Sequence, residues 1–76
     1  MTKKQKALLE TYSARKDNVE RLLQAPRPDY EAAHALEHEM HRSFVRDVGN
    51  DLLNGLAMRE CIRVLLQVQA LEIRFS

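Results

Sequence analysis

The sequence predicts an all-α fold: a small antiparallel helical hairpin or bundle of two or three helices, one domain over residues 1–76, completed by homodimerisation. Three observations carry this. Apolar residues recur at helical spacing in three separate stretches. Two breakers, Ala25-Pro26-Arg27-Pro28 and Gly49-Asn50-Asp51, divide them. The alternating run Leu71-Glu72-Ile73-Arg74-Phe75 has no convincing strand to pair with, so helix is expected there too.

The first helix is expected over about residues 2–24. Thr2 followed by Gln5 is a T-x-x-Q capping box, in which each residue satisfies an orphan backbone N–H of the first turn. Leu8, Tyr12, Val19 and Leu22 follow on one face, with Leu9 and Leu23 beside them. Arg15 falls in that seam, where its stem can pack while its head snorkels to water. Pro26 and Pro28 end the helix, because each lacks a donor and drives its predecessor to extended geometry.

The second helix is expected over about residues 30–48. Asp29 is its N-cap and Glu31 suits the positive end of the helix dipole. Ala33, Leu36, Met40, Phe44 and Val48 form its apolar face. The short connection before it implies an αα-hairpin with the first helix. Gly49-Asn50-Asp51 is expected to break the chain, with Gly49 in a left-handed conformation and a third helix over about residues 51–74. The rival, one continuous helix from Tyr30 onward, would carry Gly49 and Gly55 at about 1 kcal/mol each relative to alanine.

The third stretch is the most apolar and is expected to be central. Ala57, Cys61, Val64, Val68, Leu71 and Phe75 advance by fours and threes, and Met58, Ile62, Leu65 and Leu66 widen the stripe. So wide an arc needs cover from more than one direction. A chain of this size buries only about 60% of its unfolded surface and is marginal alone. With one cysteine, no internal disulfide can help, which leaves a partner or a metal. The sequence therefore points to a dimer or partner interface through Cys61, Val64, Leu65, Val68, Leu71 and Phe75. Cys61, within an apolar stripe, reads as a buried, reduced thiol.

Charge excludes a polyelectrolyte. Twelve basic residues face eleven acidic ones. Residues 1–25 hold six basic against three acidic, residues 26–50 three against five, and the rest balance. Basic beside acidic suits helices pairing with each other more than a nucleic-acid surface. The N-terminal segment lacks an apolar targeting core, and the longest uncharged run of the last helix, Val64 to Leu71, is far short of a bilayer span. A cytoplasmic protein without a membrane partner is expected.

One cluster has chemical promise. His34, His38 and His41 stand at i, i+4 and i+7, so a helix brings them to one side, and imidazoles so spaced can hold zinc, with Glu31 or Glu37 adding an oxygen. His38-Glu39-Met40-His41 is one residue short of H-E-x-x-H, which removes a metalloprotease reading. Lys3, Lys4 and Lys6, with Arg42 and Arg46, are the candidate nucleic-acid contacts around a turn at Val48-Gly49-Asn50, but the helix after that turn is too apolar for recognition. No Gly-rich phosphate loop, nucleophile–histidine pair or carboxylate cleft is present, so no cofactor and no enzymatic activity are expected.

The expected function is a small non-enzymatic protein–protein interaction module, an adaptor or inhibitor that masks a partner's surface. The alternatives are a small dimeric DNA-binding regulator and a metal-dependent helical assembly through the histidines. The plan of capped basic helix, tight turn and second helix is similar to the small helical-hairpin dimers that serve as regulators on plasmids and phages. That likeness is one of architecture and implies no activity. The absence of a catalytic signature equally suits a phage-encoded inhibitor.

Overall fold

A computed structural model describes residues 1–75. Three helices, α1 (Lys3–Gln24), α2 (Tyr30–Gly49) and α3 (Gly55–Phe75), pack as a bundle about 39 Å long. Consecutive helices are antiparallel, so α1 and α3 run side by side in the same direction. Gln5 meets Asn54 at one end and Lys16 meets Gln67 further along. None of the helices is long and apolar enough to cross a membrane, among the described residues.

The starts of α1 and α2 follow from their caps. The Thr2 hydroxyl accepts from the Gln5 N–H at 3.1 Å, and the Gln5 side-chain oxygen accepts from the Thr2 N–H at 3.0 Å. The same Gln5 amide donates to Asn54 Oδ1 at 3.2 Å, which ties the capping box to the loop between α2 and α3. Asp29 caps α2 by accepting from the Ala32 N–H at 3.0 Å.

The break between α2 and α3 is present, but it lies later than expected. Helix α2 runs through Gly49, and α3 begins at Gly55 rather than near residue 51. The left-handed conformations fall on Asp51 (φ 58°) and Gly55 (φ 52°), not on Gly49. The Asp47 carbonyl accepts from the N–H groups of both Leu52 and Leu53. This folds the loop back and drops Leu53 into the core, 1% exposed.

That core holds Tyr12, Val19 and Leu23 from α1, Ala33 and Met40 from α2, and Ala57, Cys61, Val64, Leu65 and Val68 from α3. Most of the expected dimer seam falls within this core. Cys61, Val64, Leu65 and Val68 are buried within the single chain, and Leu71 and Phe75 pack partly buried against them. Helices α1 and α2 cover that flank of α3 from two sides. Cys61 is fully enclosed, and burial, with Asp47 and Glu60 adding to it, pushes its thiol up to about 11. Since only the thiolate reacts, a thiol reagent at neutral pH should modify Cys61 slowly in the native chain and rapidly in denaturant. Equal rates in the two states would place the thiol outside the core.

Helix α2 is rotated from its expected orientation. Its innermost line is Ala33, Glu37, Met40, Ser43 and Asp47, with Leu36, Phe44 and Val48 on the flanks. The three polar members of this line are all partnered. Tyr12 Oη donates to Asp47 Oδ2 at 2.9 Å in the interior. Arg15 Nη1 donates to the buried Ser43 Oγ at 3.1 Å, so its head is tied to α2 where snorkelling to water was expected. Glu37 lies on the opposite flank, toward α3.

Candidate functional site

The face shared by α2 and α3 carries the chemistry of the chain. Residues His34, Glu37 and His41 are spaced by three and four, so they stand in a row along the α3 side of α2. Glu72 reaches the row from the last turns of α3, because antiparallel packing sets the end of α3 opposite the start of α2. His34 Nδ1 lies 3.6 Å from Glu37 Oε1 and 3.6 Å from Glu72 Oε1. His41 Nε2 lies 3.4 Å from Glu37 Oε2 and 3.4 Å from Gln69 Nε2.

The two carboxyl groups are mostly shielded, with side chains 11% and 22% exposed, while that of His34 is 77% exposed. Pressed together there, they do not ionise independently. Burial first, and then the Glu37 carboxylate, push Glu72 up to about 7. Glu37 is held below the usual carboxylate range by its hydrogen bond with Glu72 and by His41 and His34, against the opposing effect of burial. Of the two, Glu72 is the one that takes up a proton first as the pH falls, and Glu37 is the one that stays the anion.

The expected histidine trio is divided. His34 and His41 converge on Glu37. His38 turns outward to a shallow depression lined also by His41, Arg42, Val45 and Arg46. On an α-helix, i and i+4 differ by about 40° and i and i+7 by about 20° in the other direction. The middle histidine therefore looks adjacent in sequence, yet it sits on the solvent side once the helix axis is docked. Sequence reading missed Glu72 and Gln69. Glu72 flanks the buried stripe one residue after Leu71, but its meeting with His34 depends on the register of two helices and has no local signature.

Beside this cluster runs an aliphatic strip. Ile62, Leu66, Gln69 and Ile73 recur by fours and threes on the outer side of α3, and Val45 stands one turn past His41 on α2, in the depression that His38, His41, Arg42 and Arg46 also line. Val45 is 71% exposed, Leu66 59%, Ile62 39% and Ile73 77%. Arg42 and Arg46 border it on α2, and Arg59 and Arg63 on α3; all four are exposed.

The candidate nucleic-acid residues are not gathered by the fold: the bonds Tyr12–Asp47 and Arg15–Ser43 set Arg42 and Arg46 beside the middle of α1, while Lys3, Lys4 and Lys6 lie at its start, beside the loop that holds Asn54. Lys3, Lys4 and Lys6 are exposed on the first turn of α1, and Arg42 and Arg46 are exposed on α2. Arg46 Nε lies 3.6 Å from Asp47 Oδ1. The helix following the turn, α3, presents Leu56, Ile62, Leu66 and Ile73 to the outside.

Comparison of the chain with protein-family models, with curated proteins and with solved structures finds no match in any of the three.

Proposed function

We propose that this chain is a non-enzymatic protein–protein interaction module, an adaptor or inhibitor that works by occupying a partner's surface with the outer face of α2 and α3. One observation carries the reading. The bundle fills its core without Val45, Ile62 and Leu66, and all three stay exposed, Val45 on α2 and Ile62 and Leu66 one turn apart on α3. A contiguous apolar patch is costly to leave in water, and it usually marks a binding surface. The arginines around it favour a partner whose apolar ridge is flanked by carboxylates.

Two measurements test this, using Leu66→Asp as the reference variant. Leu66 is outside the core, so the variant should keep the native melting curve, within about 0.5 kcal/mol of the parent. Sedimentation of the pure chain then shows whether the cover is a second copy, in which case the doubled mass disappears in Leu66→Asp. If the chain sediments as a monomer, capture from host lysate is compared between parent and variant, with and without nuclease. The expected result is a protein held in stoichiometric amount by the parent, surviving nuclease and lost by at least about tenfold in the variant. Capture that is equal in parent and variant overturns the reading. Capture that nuclease abolishes moves the function to nucleic-acid binding through Lys3, Lys4, Lys6, Arg42 and Arg46.

A further inference from the structure

We infer that His34, Glu37 and Glu72 form a binding site for one divalent transition-metal ion of the zinc class, stapling the start of α2 to the end of α3. The three offer one ligand atom each, His34 Nδ1 and one oxygen of each carboxylate, and these atoms lie within 4.8 Å of one another. Zinc bonds to imidazole nitrogen and carboxylate oxygen of about 2.0–2.2 Å require neighbouring ligand atoms roughly 3.3–3.6 Å apart in a tetrahedron. The two His34 separations, both 3.6 Å, are already at that spacing. The two carboxylates are close enough to each other to share a hydrogen bond. Three protein ligands leave the fourth position to water.

The donor chemistry selects the ion. An imidazole with two carboxylates is too rich in nitrogen for magnesium or calcium and too hard for copper(I), which leaves zinc and its neighbours. Two carboxylates also match a divalent charge. Side by side and shielded, they repel each other unless a proton or a cation sits between them; they share a hydrogen bond with each other, and His34 and His41 lie 3.4–3.6 Å away. His41 supports the site from behind. Its Nε2 lies 3.4 Å from the second oxygen of Glu37, the outer contact that orients a ligating carboxylate. The site differs from the trio read off the sequence, since Glu72 replaces His38. The site borders the docking face proposed above, since Gln69 and Ile73 line the same depression as His34, Glu37 and Glu72, but it does not rest on that reading.

The test is a titration of the tag-free chain with Zn²⁺, followed by calorimetry, by the melting temperature and by the imidazole resonances in NMR. One ion per chain, a higher melting temperature and shifted resonances of His34 are expected. Glu72→Gln and His34→Ala should lose the binding while keeping the parent's helical spectrum, because the first is isosteric and the second removes an exposed ring. His38→Ala should bind as the parent does. His41→Ala should weaken binding roughly 10–100-fold. Failure to bind, one ion per two chains, equal binding by Glu72→Gln, or loss of binding in His38→Ala would each overturn the assignment.

Discussion

Val68→Asp unfolds the isolated chain, whereas Leu66→Asp, two residues earlier on the same helix, leaves it folded. Val68 is 0% exposed, at the centre of the packing of α3 against its neighbours. An aspartate there would bring a carboxylate into a fully enclosed part of the hydrophobic core. It would either stay charged and unpaired or take up a proton, and both cost several kcal/mol. A domain of this size has about 5–15 kcal/mol to lose at most and belongs at the low end of that range. Circular dichroism and the denaturant midpoint of the two variants check the contrast. If Val68→Asp stays folded and changes only the mass of the particle, then the flank of α3 bearing Cys61, Val64, Leu65 and Val68 is an interface between chains after all, and the single-chain core is wrong.

The second large effect is centred on Tyr12 and Asp47. Their hydrogen bond links α1 to the last turn of α2 at the point where the Asp47 carbonyl also anchors the following loop. Tyr12→Phe removes the donor and leaves a buried carboxylate without it, a loss of about 1.5–3 kcal/mol, as for hydrogen bonds to charged groups. Asp47→Ala should cost at least as much, and the double variant less than the sum, with a coupling of about 1–3 kcal/mol. Additive losses would mean that the two side chains do not meet in solution.

The same pair sets a pH dependence of known sign. Burial, and then the bond and charge of Asp47, hold the Tyr12 hydroxyl well above its ordinary value. The native state therefore keeps a proton that the unfolded chain releases near pH 10. The stabilisation is complete below that pH and is lost as the pH rises further. Cys61 acts in the same direction from a lower start, with its ordinary value of 9.0 moved to about 11. Chemical denaturation should show stability falling steadily above about pH 9. Cys61→Ala should remove the first part of the slope and Tyr12→Phe the later part. A flat profile across that range in the parent would contradict the burial of both groups.

How much of this was legible in advance depends on the residue. The capping box of Thr2 and Gln5 and the Asp29 cap were readable because a helix start is specified within four residues. The stop at the two prolines was readable for the same reason. Gly55 was weighed only as a cost to a continuous helix, and its left-handed φ at the start of α3 was not foreseen, because the backward fold of the loop onto the Asp47 carbonyl is a contact between turns. Half of the candidate site was visible, as His34 and Glu37 share one helix. The other half was not, because Glu72 lies 35 or more positions away and only helix register brings it near.

By itself, the sequence determined the all-helical class, the two breaks, the caps and the presence of an apolar stripe on each helix. These are one-dimensional properties, fixed by the 3.6-residue period and by what proline, glycine and capping side chains do to the local backbone. The tertiary structure decided three other things: which flank of the wide stripe on α3 is buried, how α2 is rotated, and which carboxylate faces His34. A stripe broader than one contact can be docked at several angles, and the choice is made only when three helices must fill one another's grooves together. Here that choice placed Ala33, Met40 and the partnered Ser43 and Asp47 inside, closed the core with Cys61, Val64, Leu65 and Val68, and left Val45, Ile62 and Leu66 outside.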